Sequence, residues 1–208
     1  MTRAASERVL IEGAAGSIET VIDIPASPPR GIALVAHPHP LFGGSLDNKV
    51  AQTLARVFTE LGYAALRPNF RGVGASAGVH DEGRGETDDM LTLAHYAKTR
   101  FGELPVALAG FSFGAFVQTR VAKRIEPERM VLVGTAVGRF AAETVPADTV
   151  VIHGELDETV PLAVVLAWAR PQELPVIVIP GADHFFHRRL HIIRNIVSSM
   201  WHARADQA

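Results

Sequence analysis

A serine in the pattern Gly-x-Ser-x-Gly occurs twice, as GFSFG at residues 110–114 and as GASAG at residues 74–78. Such a serine becomes a nucleophile when a sharp turn between a buried strand and a helix lifts its hydroxyl above the sheet. The apolar run Val106–Ala109 precedes Ser112 and a helix-forming segment follows it, whereas loop sequences flank Ser76 on both sides. We therefore predict that Ser112 is a nucleophile and that Ser76 lies in a flexible turn.

A serine hydroxyl needs a histidine base, and the histidine needs a carboxylate that fixes its tautomer. Asp157 follows the strand-like run Thr149–Ile152 by a few residues, and His184 follows the run Val176–Ile179 in the same way. The three residues occur along the chain in the order serine, acid, histidine, and each lies on a loop after a strand. This matches one known arrangement of the catalytic triad. The sequence thus predicts acyl transfer by Ser112, His184 and Asp157.

Other histidines and carboxylates offer alternative partners, because the chain has 9 histidines. We expect His153 to be structural because it ends a strand. Three more histidines fall on the predicted last helix, where solvated or packed roles are expected: His187, His191 and His202. Asp183 is a weak orienting acid because the side chains of neighbouring residues usually diverge, and Glu155 and Glu158 are expected to face solvent.

Acyl transfer also needs two N–H donors for the developing oxyanion. One is expected to be the amide of Phe113, which follows the nucleophile. The other comes from the loop after the third strand, where Pro38 and Pro40 have no N–H. This leaves His39 or Leu41, and we favour His39 because the flanking prolines stiffen its backbone.

The same histidines permit a competing metal-site hypothesis. His-x-His at a strand end is a common zinc-binding arrangement in barrel hydrolases. The residues that such a site could recruit are His37, His39, His153, His184 and Asp157. A barrel of eight strand–helix units typically needs about 250 residues, and it would leave the serine turn unexplained. We therefore predict neither a metal nor a cofactor.

Apolar β-rich runs alternate with helical patterns along the chain, which is typical of a parallel sheet with crossover helices. We predict about eight strands, at 9–11, 18–24, 31–36, 63–68, 106–109, 130–134, 149–153 and 176–179. Helices are predicted at 48–61, 87–101, 113–125 and 187–202, with Asp88 and Asp89 at the start of the second. Gly13–Gly16 should form a hairpin turn, and the segment 135–148 leaves room for a short helix only.

Composition limits the classes of function. The chain has 208 residues, 48% of them hydrophobic, and a formal net charge of -2, which fits one globular domain over residues 1–208 and gives no basic face for nucleic acid. It has no cysteine, so disulfides and thiolate sites are excluded. No signal-like segment or apolar run long enough to span a bilayer is present. We expect a cytoplasmic protein that binds neither nucleic acid nor membrane.

With these residues assembled, the sequence resembles the α/β-hydrolase superfamily, and more narrowly its small, lidless bacterial members related to dienelactone hydrolases. The motifs that carry the resemblance are HPHPLFGG at 37–44, NFRGVGAS at 69–76, GFSFG at 110–114, His153-Gly154 with Asp157, and GADHFF at 181–186. It implies an α/β-hydrolase fold, the Ser112–His184–Asp157 triad, carboxylesterase-like chemistry and no cofactor. Dienelactone hydrolases use a cysteine nucleophile, which this chain lacks.

The short segment 135–148 implies an open site without a lid, which favours small or exposed acyl esters as substrates, and we expect a monomer or a homodimer. Two alternatives remain. The same triad could serve a thioesterase, an amidase or a peptidase, or the fold could belong to a binding protein without catalysis.

Overall fold

Eight strands form a single sheet in the order β1-β2-β4-β3-β5-β6-β7-β8. The computed structural model describes residues 5–205, and the side chains of residues 5–201. The strands are β1 Ala5–Gly13, β2 Gly16–Ile24, β3 Gly31–Ala36, β4 Tyr63–Pro68, β5 Val106–Phe111, β6 Arg129–Val133, β7 Val150–Gly154 and β8 Val176–Ile179. The first two are antiparallel to their neighbours, and the other pairings are parallel. The predicted strand number and the hairpin at Gly13–Gly16 are confirmed.

The central strands are buried on both faces. Every residue of β3 and β5 is buried, as expected for the uninterrupted apolar runs that parallel strands require when helices cover both sides. The helices are α1 Lys49–Glu60, α2 Arg84–Phe101, α3 Phe113–Val121, α4 Leu162–Ala169 and α5 Leu190–Ala205. Residues of α1 and α5 share one apolar core, and residues of α2, α3 and α4 belong to the core on the opposite face.

Several predicted helix limits are wrong. Helix α2 starts at Arg84 rather than at residue 87, because Glu86 accepts the amide of Gly83 and caps the helix earlier. Asp89 does not serve the helix start but pairs with Arg71. Helix α3 ends at Val121 rather than at residue 125.

The last helix starts at Leu190 rather than at residue 187, because turns occupy the preceding residues. The sequence analysis did not predict α4, whose residues LAVVLAWA are apolar almost throughout and therefore show no periodicity of one buried face. The segment 135–148, which has room for a short helix only, forms no helix and holds turns and an isolated bridge between Val137 and Phe140.

The loops that follow β3, β4, β5, β6, β7 and β8 leave the sheet from the carboxyl ends of the parallel strands. In open α/β sheets this edge is where ligands bind. Within the described residues, no helix is long and apolar enough to cross a membrane.

Candidate active site

Ser112 sits in a strained turn between β5 and α3. Its backbone has φ 56° and ψ -117°, a conformation that costs a residue other than glycine about 1–3 kcal/mol. The Ser112 amide donates to the carbonyl of Val133 on β6 over 2.9 Å. The geometry is that of a nucleophile carried on a sharp strand-to-helix turn, as the flanking sequence predicts.

The two glycines of the turn allow the backbone to pass closely. A Cβ on Gly110 would lie 2.6 Å from the amide nitrogen of Ala115, and one on Gly114 would lie 2.4 Å from the carbonyl oxygens of Ala36 and His37. Real Cβ atoms do not approach other atoms so closely. The glycines are therefore required because α3 packs directly against its own strand and against the end of β3.

The structure brings Ser112, His184 and Asp157 into one hydrogen-bonded chain. The Nε2 atom of His184 lies 3.0 Å from the Ser112 hydroxyl, and its Nδ1 atom lies 2.7 Å from Oδ2 of Asp157. The three residues are only 7%, 5% and 4% exposed. In this arrangement Nδ1 of His184 carries the proton, so Nε2 can accept the serine proton.

Asp157 is held by its own loop. Its Oδ1 accepts the amides of Thr159 and Val160 over 2.9 and 2.8 Å, which leaves Oδ2 for His184. His153 lies behind it, with Nε2 3.5 Å from Oδ2, but that nitrogen donates to the carbonyl of Val160 over 2.8 Å. Burial lowers the pKa of His153, so this ring is neutral and structural, as predicted.

The remaining predicted alternatives lie elsewhere. Asp183 pairs with the exposed His187 rather than with His184, and this contact lowers the pKa of Asp183. His187 precedes α5 instead of lying on it, His191 is exposed on α5, and the side chain of His202 is outside the described residues.

The two serine motifs differ as the flanking sequence predicts, although Ser76 is not in a flexible turn. It is buried, its hydroxyl donates to the carbonyl of Asn69 over 2.7 Å, and it accepts the amide of Glu19 over 2.9 Å. Ser76 therefore fastens the loop after β4 to strand β2.

The loop after β3 places His39 beside Ser112, since both residues line the same two cavities. Residues Pro40–Phe42 form a short 3₁₀ turn. The amide of Leu41 donates to Nδ1 of His39 over 3.3 Å, and the Leu41 side chain is 69% exposed. The amide of Phe113, at the start of α3, is among those left without an intrahelical partner. The Leu41 amide is thus engaged within its own turn, and the choice of His39 as the second oxyanion donor beside Phe113 stays a prediction.

His37 has a structural role that leaves no ring nitrogen for a metal. Its Nδ1 donates to the carbonyl of Pro38 over 2.6 Å, and its Nε2 accepts the amide of Phe70 over 2.9 Å. Burial lowers the pKa of His37 to about 4, which keeps the ring neutral. Among the described residues no group of three or more histidine, aspartate or glutamate side chains could hold a metal ion, so the metal-site alternative has no support.

Two cavities open beside Ser112. The larger, about 280 Å³, extends over Phe113, Val137 and Phe140 towards α4, and Arg139 lies at its edge. The smaller, about 170 Å³, is bordered by His184 and Phe185 and by the loop after β3. His39 borders both.

Sequence reasoning missed several residues around these cavities. His80 binds Glu86 through Nδ1 over 2.9 Å, and its ring lies 4.7 Å from the ring of His39. Burial lowers the pKa of His39, and its electrostatic interactions with His80 and Arg139 lower it further. These residues follow β4 and β6, so the rule that ligands bind at the carboxyl ends of parallel strands could have marked their loops, though not the individual side chains.

The chain is similar to known hydrolases over most of its length. The sequence profile of the family described as serine aminopeptidase, S33, matches residues 43–165. A solved α/β serine hydrolase without lid from Xanthomonas campestris is 35% identical and superimposes with a TM-score of 0.87, covering 96% of this chain and 94% of that one.

Two curated relatives are longer than this chain. An uncharacterized protein of Rickettsia prowazekii is 35% identical over 144 residues, which are 69% of this chain and 57% of that protein. The lysophosphatidylserine lipase of Gallus gallus is 36% identical over 84 residues, 38% of this chain and 22% of the lipase. The chain therefore spans little more than half of the first relative and about a fifth of the second. A closer relationship to the dienelactone hydrolases stays a prediction.

The profile match, the sheet order and the strained serine agree with one another, and the segment between β6 and β7 holds no lid. The chain belongs to the serine aminopeptidase S33 family of α/β hydrolases, and its described fold is lidless like that of the Xanthomonas campestris protein.

Proposed function

We propose that the protein hydrolyses carboxylic esters through Ser112, His184 and Asp157. The observation that carries this proposal is the unbroken hydrogen-bonded chain from the Ser112 hydroxyl through His184 to Asp157, at 3.0 and 2.7 Å. A serine on a strained turn, an imidazole within hydrogen-bond distance and a buried carboxylate are together the parts that nucleophilic acyl transfer needs.

The reaction has two halves. The Ser112 oxygen attacks the ester carbonyl while its proton passes to Nε2 of His184, and the imidazolium then protonates the departing alcohol. The amides of Phe113 and His39 bind the oxyanion, a role worth about 2.7–4 kcal/mol for each donor. In the second half, His184 takes a proton from water, which attacks the acyl-serine and releases the acid and the free serine.

The charges around the site favour an ester over the substrate of an aminopeptidase. An aminopeptidase must hold a free ammonium group, for which a carboxylate is the natural partner. Among the described residues, those that border the two cavities include no aspartate or glutamate, and they include Arg139. The name of the Gallus gallus relative, a lipase, adds support for ester substrates.

The two serine motifs of the chain provide a matched test. Ser112→Ala should abolish turnover of p-nitrophenyl butyrate and labelling by a fluorophosphonate probe, with an unchanged circular dichroism spectrum. Ser76→Ala removes the matching serine of the other motif and should keep both activities, although it loses two buried hydrogen bonds and some stability. Turnover and labelling that survive in Ser112→Ala would contradict the proposal.

The same experiment addresses the alternatives. A wild-type protein that neither labels nor turns over any ester would support a binding protein without catalysis. If thioester or anilide substrates gave the higher kcat/KM in a panel with matched acyl groups, the ester assignment would be wrong, even though the serine mechanism stood.

A further inference from the structure

The two cavities beside Ser112 differ in whether His184 borders them. His184 delivers its proton to the departing alcohol, so the leaving group must lie on the side that His184 borders. This is the smaller cavity of about 170 Å³. His184 is not among the residues that line the larger cavity of about 280 Å³. The larger cavity therefore takes the acyl group.

The larger cavity is mostly apolar, and the polar residues on its lining besides Arg139 are His39, Ser112 and Thr159. Its walls are formed by Phe113, Ala136, Val137, Phe140, Val160 and Val164. The one permanently charged side chain on its lining is Arg139, which is exposed to solvent at the edge. An acyl chain bound here would meet mostly apolar side chains and one exposed cation, Arg139.

Arg139 is held in place by two aromatic rings. Its guanidinium carbon lies 5.0 Å from the ring centre of Phe42 and 5.8 Å from that of Phe140, distances typical of cation–π contacts. Within the described part of the chain, no carboxylate forms an ion pair with Arg139. Ring contacts engage the face of a guanidinium and leave its N–H edge available, and that edge matches the two oxygens of a carboxylate.

The charge of Arg139 also acts inside the site. After burial and His80, the positive charge of Arg139 also lowers the pKa of His39, which borders both cavities. An anion bound next to Arg139 in the larger cavity would be attracted by the same charge.

We propose that Arg139 selects acyl groups that end in a carboxylate, so that the preferred substrates are monoesters of dicarboxylic acids. The inference rests on the proposed ester hydrolysis and adds the substrate class. Water and the monoester yield the dicarboxylate and the alcohol through the acyl-Ser112 intermediate, and Arg139 contacts only the distal carboxylate.

The test compares two esters with the same leaving group, the mono-p-nitrophenyl ester of adipic acid and p-nitrophenyl hexanoate. We expect the wild-type protein to have the higher kcat/KM on the adipate ester. Arg139→Gln should lower kcat/KM on that ester about tenfold, the effect of one charge-assisted contact, and should change the hexanoate value by less than about twofold. Arg139→Lys keeps the charge but lacks the planar guanidinium, and its kcat/KM on the adipate ester should lie between those of the wild type and Arg139→Gln.

Arg124 provides the matched control, because it is an exposed arginine that follows α3 at the end away from Ser112. Arg124→Gln should leave both esters unchanged. Added sodium chloride should reduce the wild-type preference for the adipate ester and have little effect on Arg139→Gln, since salt screens an exposed charge pair.

The outcomes separate the two proposals. If Arg139→Gln lowers both esters equally, or if the wild type prefers hexanoate, the inference about Arg139 is wrong while ester hydrolysis stands. The inference would also be overturned if Arg139→Gln lowered kcat/KM more on p-acetoxybenzoate, which carries its carboxylate on the leaving group, than on the adipate ester. If wild-type protein releases p-nitrophenol from neither ester, the proposed function fails as well.

Discussion

Asp157→Asn tests the site more sharply than removal of the serine, because the substitution changes one atom and the structure fixes its consequence. Oδ1 of Asp157 accepts the amides of Thr159 and Val160 over 2.9 and 2.8 Å. If the asparagine pointed its NH₂ group towards these two donors, both hydrogen bonds would be lost. The asparagine oxygen therefore keeps the Oδ1 position, and the NH₂ group takes the position of Oδ2, 2.7 Å from Nδ1 of His184.

A donor at this position reverses the tautomer of His184. Its Nδ1 must then accept, so the ring proton moves to Nε2 and points at the Ser112 hydroxyl, which lies 3.0 Å away. The serine no longer has a base, and in a triad with this geometry the wrong tautomer lowers kcat about 10⁴-fold. At about 1.36 kcal/mol per tenfold change in rate, the activation free energy rises by about 5.4 kcal/mol.

The assay is kcat for p-nitrophenyl butyrate, with urea unfolding measured alongside. We expect stability within about 1 kcal/mol of wild type, because both backbone amides keep their acceptor. The matched control is Asp183→Asn, since Asp183 neighbours His184 in sequence but pairs with the exposed His187, and kcat should stay within about twofold. If Asp157→Asn kept more than a tenth of the wild-type kcat, Asp157 would not orient His184 during the reaction.

Two further predictions concern the framework of the site. Gly114→Ala should lower the free energy of unfolding by about 3 kcal/mol or prevent folding, because its Cβ would lie 2.4 Å from backbone oxygens of β3 and of the loop that follows it. In the control Gly43→Ala, no atom lies within 4 Å of the new Cβ, so the positive φ alone should cost about 1–2 kcal/mol. Equal losses of unfolding free energy in urea for the two variants would refute the packing argument. Burial lowers the pKa of His37 to about 4, against about 6.5 when unfolded. The unfolded chain thus binds the extra proton between these values, so stability is full above about pH 6.5 and falls by about 3 kcal/mol towards pH 4. His37→Gln should reduce the difference in unfolding free energy between pH 7.5 and pH 4.5, measured by urea unfolding. An unchanged difference would contradict the assignment of this pH dependence to His37.

The strand pattern and the site residues on strand ends were predictable from the sequence for a common reason. Strands buried on both faces need uninterrupted apolar runs, so β3 and β5 stand out from their surroundings. Once the strands are located, Ser112, Asp157 and His184 each follow one of them closely, and parallel strands bring their carboxyl ends to one edge. The hydrogen-bonded chain among the three residues was thus expected before any distance was known.

The features that the sequence did not reveal depend on contacts between loops. Arg139 is a surface arginine by sequence, and only the approach of Phe42 from another loop gives it a fixed position. His80 likewise gains its place from Glu86 and from the ring of His39. Helix α4 escaped detection for a different reason, since an element that is apolar nearly all round carries no periodic signal.

The strained turn at Ser112 depends largely on residues outside its pentapeptide, which explains why the two copies of the motif adopt different structures. The strain at Ser112 persists only if its surroundings hold the turn from several sides. Its amide donates to Val133, and its carbonyl accepts the amides of Phe116 and Ala136, so β6, α3 and the loop after β6 all hold it. At Ser76 the same pattern meets no strand and no helix, and the hydroxyl is used in hydrogen bonds to Asn69 and the Glu19 amide. A Gly-x-Ser-x-Gly segment therefore forms the strained strand-to-helix turn here only where β6, α3 and the loop after β6 supply the hydrogen bonds that hold its backbone.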